Sequence, residues 1–264
     1  MSINSTQLHV QISGEGPPLI ILHGLFGSGS NWRTAARSFA LTHTVYLVDL
    51  RNHGLSPWAD SMTYPEMAGD VSAMISKFDL KAPIVLGHSM GGKVAMALAL
   101  LEPAQVGQLI VVDIAPVQYP GSMNSVAQAM LLPEVMVGAN RTAVTRNLQQ
   151  HLSQPEIAPF LMQNLQSTEA GFSWRINLRT IDQQMGLITG FPSELKSLRF
   201  NGPSAAVIGE TSNYVAGVDD GARSALFAPM FESMPIKIIK GAGHWVHTDQ
   251  PEVFIQCIQE LIGS

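Results

Sequence analysis

Gly87-His88-Ser89-Met90-Gly91 places the strongest constraint on what this chain can become. An apolar run, Pro83-Ile84-Val85-Leu86, leads into it, and Gly92-Lys93-Val94-Ala95-Met96-Ala97-Leu98-Ala99-Leu100 leads out. That order reads as strand, sharp turn and helix, with a serine at the apex. Such a turn holds the serine in a strained backbone conformation and exposes its Oγ. Strand and helix nearly touch there, so the flanking residues must be very small. The helix N-terminus then aims free N–H groups and its positive dipole end at the hydroxyl. A serine in this place acts only with a base, an acid and oxyanion donors around it.

The flanking sequence supplies the sheet. Leu19-Ile20-Ile21-Leu22, the stretch from His43 to Leu50 and Gln108-Leu109-Ile110-Val111-Val112-Asp113 are short apolar runs of the kind buried on both faces. Between them lie helical patterns. Asn31 to Phe39 is one. Another opens on the capping box Thr63-Tyr64-Pro65-Glu66 and carries Met67, Val71, Met74, Ile75 and Phe78 on one stripe. Strand and helix alternation of this sort predicts an α/β fold with a mostly parallel central sheet flanked by helices. Weak alternation from Gln7 to Ser13 ends in the turn residues Gly14 to Pro18. Strands resume at Ala205-Ala206-Val207-Ile208 and Ile236-Lys237-Ile238-Ile239. Asp249-Gln250-Pro251-Glu252 predicts the cap of a last helix, whose stripe is Phe254, Cys257, Ile258 and Leu261. Cys257 is read as a small core residue.

Residues 117–198 break the alternation. They are helical in character, rich in Gln, Asn, Leu and Met, and show no strong strand. The division expected is a core of residues 1–116 and 199–264 with a helical cap over 117–198. The cap leaves from the carboxyl end of a strand, where ligands of open α/β sheets bind, so it is read as a lid. Met123, Met130, Met136, Met162 and Met185 suit an adaptable apolar pocket and plain helical packing equally well, and Phe172, Trp174 and Phe191 are candidates to line the same cavity.

Composition excludes other classes. The 264 residues carry a formal charge of −5 and only 13% charged residues, with no basic run, so nucleic acid has no electrostatic footprint here. One cysteine permits no internal disulfide and suits a reducing compartment. Met1 to Gln7 lacks the charged and apolar regions of a signal peptide, and no apolar run approaches a membrane span. A cytoplasmic protein is expected, of undetermined oligomeric state.

His244, in Gly241-Ala242-Gly243-His244-Trp245, follows the last strand and can swing over the sheet toward Ser89 as general base. His247 is three residues on, but no third ligand stands at metal spacing, so no metal is expected. Met90, next after the serine, offers one oxyanion N–H. Leu25, in His23-Gly24-Leu25-Phe26-Gly27-Ser28, offers the other. His23 is read as a hydrogen-bonded support. For the acid, Asp113 ends the strand after the serine helix, and Glu210 follows the next strand; Asp219 and Asp220 come later. Asp113 is preferred and Glu210 is the alternative. Phe26 and Trp174 are assigned to the substrate.

Taken together, His23-Gly24, Asp49-Leu50-Arg51-x-x-Gly54-x-Ser56, Gly87-x-Ser89-x-Gly91 and Gly243-His244 stand in the order of the α/β-hydrolase superfamily, which the chain resembles over its full length. His23-Gly24-Leu25-Phe26-Gly27-Ser28, Asn31-Trp32, Arg51-Asn52-His53-Gly54-Leu55-Ser56 and Asp113-Ile114-Ala115-Pro116 resemble its YbfF-type esterase branch and the eukaryotic abhydrolase relatives. The resemblance implies a carboxylesterase or acyl-thioester hydrolase with a helical cap, acting through an acyl-enzyme without metal or cofactor. It also implies Asp113 as acid, because that branch lacks the usual aspartate after the seventh strand. Ser212 and Asn213 stand near that position and are expected to hydrogen-bond His244. A carbon–carbon bond hydrolase or lyase-type enzyme on the same triad, and a ligand-binding signalling protein of this fold, remain open.

Overall fold

The computed structural model describes residues 5–263 except 121, 139, 170 and 216–219. Its centre is a seven-stranded sheet. In chain order the elements are β1 (His9–Ser13), β2 (Pro18–Leu22), α1 (Arg33–Phe39), β3 (Thr44–Asp49), α2 (Tyr64–Lys77), β4 (Ile84–His88), α3 (Met90–Leu101) and β5 (Gln108–Val112). Then come α4 (Ser122–Leu131), α5 (Arg141–His151), α6 (Ala158–Leu161), β6 (Leu165–Thr168), β7 (Gly171–Trp174) and α7 (Leu178–Ile188). The chain ends with β8 (Ser204–Gly209), α8 (Asp220–Phe227), β9 (Ile236–Ile239), α9 (Val246–Asp249) and α10 (Pro251–Ile262).

The main sheet runs β1-β3-β2-β4-β5-β8-β9, and only the edge strand β1 is antiparallel. The serine strand, β4, is therefore its central strand. Alternation along β2 shows how the two layers of helices are held. Leu19 and Ile21 pack with Trp32 and Phe39 around α1 and with Phe254 and Ile258 of α10. Ile20 and Leu22 face the other way, toward Met67 and Val71 of α2 and Val94 and Leu98 of α3. Burial on both faces accounts for the continuous apolar runs.

Local rules set several element ends. Thr63 caps α2: its Oγ1 accepts the Glu66 N–H, and Glu66 Oε2 accepts the Thr63 N–H at 2.9 Å. Met67, Val71, Met74 and Ile75 of the predicted stripe are buried, while Phe78, at the helix end, is 37% exposed. Asn31 to Phe39 divides into a single 3-10 turn ending at Trp32 and then α1. The expected cap of α10 is different. Gln250 takes that position without a side-chain bond, and Asp249 ends α9 instead, where its Oδ2 accepts the Gly243 N–H at 2.8 Å. Phe254 and Ile258 of the α10 stripe are buried, and Cys257 is half-buried.

The segment between β5 and β8 is a helical insertion, but it also contains a strand pair. β6 and β7 form an antiparallel hairpin, with Leu165 opposite Trp174. The sequence shows no strong strand there because four-residue strands of this mixed polar composition carry little periodic signal. Among the described residues no helix is long and apolar enough to cross a membrane.

Candidate active site

The turn after β4 places Ser89 at φ 53° and ψ −121°. Both glycines of the pentapeptide are sterically obligatory. A Cβ on Gly87 would sit 2.1 Å from the Gly91 carbonyl oxygen, and one on Gly91 would sit 2.4 Å from that of Leu22. The turn is anchored by the Ser89 N–H, which donates to the Val112 carbonyl at 3.0 Å and so extends the β4–β5 ladder by one residue.

The neighbouring strand ends in the same manner. The Asp113 N–H donates to the Val207 carbonyl at 2.9 Å, and the residue then turns to φ 51°. Its carboxylate is completely buried and fully engaged. Oδ1 accepts the Gly209 N–H at 2.9 Å, and Oδ2 accepts the Ser212 hydroxyl at 2.5 Å. Oδ2 also lies 2.6 Å from His244 Nδ1, while His244 Nε2 lies 3.1 Å from Ser89 Oγ. Serine, imidazole and carboxylate form one unbroken hydrogen-bonded line across the carboxyl ends of β4, β5 and β9.

Glu210 takes no part in that line. It is exposed, and Oε2 accepts the Gly241 N–H at 2.9 Å, bracing the histidine loop. Asp219 lies outside the described residues, as does the Asp220 side chain. Ser212 bonds Asp113 rather than His244, and Asn213 is exposed. Their expected bond to the imidazole is therefore corrected: Asp113 already occupies Nδ1.

Further supports of His244 were not foreseen from sequence. His88 Nε2 donates to the His244 carbonyl at 2.8 Å, and Tyr214 stacks on the imidazole with ring centroids 4.0 Å apart. His88 sits inside the serine pentapeptide, so its position was legible and its task was not. Tyr214 carries no local signal.

Four further histidines surround the site, and burial lowers the pKa of each. His23 falls to about 4, His53 to about 3 and His247 to about 4, while His88 falls well below its usual value. Among the described residues none of these rings hydrogen-bonds Ser89, whose Oγ pairs with His244. His23 Nε2 accepts the Leu50 N–H at 3.0 Å, so its proton is on Nδ1, 2.8 Å from the Gly24 carbonyl. His247 stacks on Trp32 at 4.1 Å, and its buried Nδ1 has no hydrogen-bond partner among the described residues. Among the described residues no cluster of His, Cys, Asp or Glu could hold a metal ion.

Two backbone N–H groups lie close to the serine, one along the chain and one in space. Met90 N–H opens α3, and Leu25 N–H lies in a loop that reaches the nucleophile: a Cβ on the adjacent Gly24 would lie 3.2 Å from Ser89 Cβ. Neither N–H donates to a protein acceptor among the described residues. That leaves both free for an oxyanion.

A cavity of about 600 Å³ opens above the line. Leu25, Phe26 and Trp245 line it from the sheet side, and Met123, Val126, Ile157, Phe160 and Leu161 from the insertion. Of the five methionines of the insertion, Met123 alone borders it; Met130, Met162 and Met185 are buried in the apolar core away from it. Trp174 is also corrected. It is buried inside the insertion, where its indole N–H donates to the Met130 carbonyl at 2.8 Å. Phe172 and Phe191 likewise lie off the cavity, Phe191 packing against Tyr64.

Lys93, one turn into α3, is 1% exposed. Its ammonium donates to the carbonyls of Val117 at 2.8 Å, Thr189 at 3.0 Å and Gly190 at 2.6 Å, and lies over the Tyr119 ring. Burial pushes its pKa down to about 7, while three carbonyl acceptors and an aromatic face favour the charged form. A lysine inside the apolar run of α3 was the available sequence signal.

Comparison with known proteins fits this geometry. The sn-1-specific diacylglycerol lipase ABHD11 of Xenopus tropicalis is 34% identical over 260 residues, covering 96% of this chain and 80% of the relative. Esterase YbfF of Escherichia coli K12 is 31% identical over 272 residues, with both chains covered in full. A solved structure described as a marine microorganism esterase is 34% identical and superposes with a TM-score of 0.90, covering 97% of this chain and all of that one. Residues 19–256 match the model of the alpha/beta hydrolase family, and the chain belongs to that family.

Proposed function

We propose that this chain is a serine hydrolase of the esterase type, cleaving carboxylic esters or acyl thioesters of small to medium acyl groups through Ser89, His244 and Asp113. The observation that carries this reading is the hydrogen-bonded line from Ser89 Oγ to His244 at 3.1 Å and from His244 to Asp113 at 2.6 Å.

In the proposed mechanism His244 Nε2 takes the Ser89 proton as Oγ bonds to the acyl carbon. Asp113 holds the imidazole by its Nδ1–H and stabilises the imidazolium. The N–H groups of Leu25 and Met90 receive the oxyanion; one such donor is typically worth about 3 kcal/mol of barrier. The alcohol or thiol leaves with the proton from His244. Water, deprotonated by the same ring, then attacks the acyl-enzyme and frees the acid. These residues need neither metal nor cofactor for that sequence.

Residues 117–198 serve as the lid and residues 1–116 and 199–264 as the catalytic core. Phe26, which borders the cavity, belongs to the substrate side. The apolar face of Met123, Val126, Ile157 and Phe160 suits an acyl chain, in keeping with relatives named as an esterase and as a diacylglycerol lipase. A cytoplasmic location accords with the single cysteine.

The test is labelling with a fluorophosphonate followed by a series of p-nitrophenyl esters and matching thioesters. Labelling of Ser89 with a burst of acyl-enzyme is expected, and Ser89→Ala should lose both. Full activity in Ser89→Ala overturns the reading. Trace turnover of every ester beside efficient cleavage of a 1,3-dicarbonyl carbon–carbon bond replaces it with the carbon–carbon hydrolase. A stable ligand complex without a burst replaces it with a binding protein.

A further inference from the structure

We propose that His53 and Asn164 are positioning residues that clamp the oxyanion loop from opposite sides, so that the seating of the insertion fixes the direction of the Leu25 N–H. The inference rests on the proposed hydrolase reading and goes beyond it, since neither residue touches Ser89.

Phe26 stands at φ 60°, in the left-handed region that an aromatic residue adopts only when its surroundings hold it there. Both of its backbone polar groups are held by buried side chains. Its N–H donates to His53 Nε2 at 3.1 Å, and its carbonyl accepts from Asn164 Nδ2 at 2.7 Å. His53 comes from the turn after β3, and its Nδ1–H is directed to the Arg51 carbonyl at 3.1 Å, which fixes the tautomer that can accept. The ring is fully buried, and burial holds it neutral through the working pH range. Asn164 comes from the insertion, immediately before β6. It is 4% exposed, and its amide also reaches the Leu161 carbonyl at 3.2 Å.

The loop is thereby pinned at four places. His23 holds the Gly24 carbonyl at 2.8 Å, Gly27 N–H closes the turn onto the same carbonyl at 3.0 Å, and His53 and Asn164 hold the two ends of Phe26. Leu25 N–H lies between these pins and donates to no protein acceptor among the described residues. Three pins belong to the sheet side of the molecule. Among the described residues Asn164 alone brings the insertion to the oxyanion loop at a buried backbone atom, and exposed Gln163 beside it accepts from Asn31 Nδ2 at 2.5 Å along the same seam. Displacing the insertion would release the Phe26–Gly27 peptide, and the Leu25 donor would lose its fixed direction. A lid that also completes the donor set couples substrate enclosure to catalytic competence.

The test pairs Asn164→Asp, which keeps size but replaces the donor with an acceptor, with His53→Phe and His53→Gln. Activity on p-nitrophenyl butyrate is read as kcat and KM separately. Affinity for butylboronic acid, which forms a tetrahedral adduct on Ser89, is compared with that for N-methylbutanamide, which does not. Asn164→Asp and His53→Phe should lose at least tenfold in kcat and in boronate affinity, with KM and amide affinity within twofold. His53→Gln, which retains an acceptor, should recover most of the loss. An unchanged kcat in Asn164→Asp, or losses confined to KM, overturns the inference. Should Asn164→Asp fail to fold, the His53 pair decides, and equal activity of its Phe and Gln variants overturns it. Wild-type turnover in Ser89→Ala overturns the hydrolase reading itself. An inactive Ser89→Ala beside a fully active Asn164→Asp overturns only the clamp.

Discussion

The floor of the cavity stands on strand ends, whereas its roof is joined to the sheet side by apolar packing and side-chain ties. Ser89 and Asp113 each follow a parallel strand by one residue. Each is fixed by a ladder hydrogen bond and a positive φ, at 53° and 51°, and the histidine loop is braced by His88, Thr211, Glu210 and Asp249. The roof is made of short helices and one hairpin. It is held to the floor by Lys93 on the carbonyls of Val117, Thr189 and Gly190, by the Tyr64 hydroxyl on the Ile188 carbonyl at 2.5 Å, and by Asn164 on Phe26. Backbone ladders fix position to fractions of an ångström, which acyl transfer demands. Apolar packing on short helices admits substitution, which lets acyl specificity vary without moving the triad.

The sharpest break in that comparison comes from the floor. Asp113→Asn should lower kcat by about 10⁴ with little change in KM, since the amide leaves His244 in the wrong tautomer. Ser212→Ala removes one charge-assisted bond from the same carboxylate and should cost about tenfold. Glu210→Gln should stay near wild type, because its carboxylate only braces Gly241. Steady-state kinetics on one short ester separates all three. A severe loss in Glu210→Gln beside a mild one in Asp113→Asn would move the acid.

Next in size is the tie. Lys93→Met leaves the Val117 and Gly190 carbonyls without their donor at the junction of α3 with both ends of the insertion, while the Thr189 carbonyl keeps the Tyr119 N–H. A destabilisation of about 3 kcal/mol or more follows, read by chemical denaturation. Loss of less than about 1 kcal/mol would mean that the roof is carried by apolar packing alone.

The buried histidines give a comparable effect through pH. His23 and His247 are lowered to about 4, so the unfolded chain, with histidines near 6.5, binds more protons between those values. Stability is then full above about pH 6.5 and falls as the pH drops toward 4. For His23 alone the span corresponds to about 3 kcal/mol. Denaturation curves at pH 7 and pH 5 check the sign. Replacing His23 with Gln should flatten the slope, as a residue that cannot titrate.

Much of the floor was legible because its rules are local. Gly87 and Gly91 are demanded by backbone contacts, and the apolar runs of β2, β4, β5 and β8 state burial on both faces. Asp113 was legible as the residue that closes a strand beside the serine. The roof was less legible for a physical reason: methionine and leucine at helical spacing look alike whether they face a cavity or a neighbouring helix. Met123 and Met130 lie on one helix, yet only Met123 reaches the cavity. Trp174 was misplaced because a lone aromatic residue does not show whether it faces a cavity or, as here on β7, the neighbouring Met130 backbone, and the β6–β7 hairpin was too short and polar to register. Asp249 shows the converse failure, a good capping pattern overruled by the need of Gly243 N–H for an acceptor. Residues that act across the chain, such as Asn164 on Phe26 or Tyr214 on His244, leave no local pattern at all.

The smallest expected effect tests the roof without touching the floor. Met123 of α4 borders the cavity and is only partly buried, so its size sets room for the acyl chain more than it sets stability. Met123→Ala should raise kcat/KM for octanoate over acetate esters by about tenfold, and Met123→Trp should lower that ratio by a similar factor, since a methylene or two in an apolar pocket is worth about 1–3 kcal/mol. The acetate rate itself should move less than twofold, because Ser89, His244 and Leu25 stay where the sheet holds them. Trp174→Phe serves as the contrast. It removes the indole N–H from Met130 and should cost stability while leaving the chain-length ratio unchanged. A shifted ratio in Trp174→Phe, or an acetate rate that falls with Met123→Ala, would show that roof and floor are mechanically coupled at α4 as well as at Asn164.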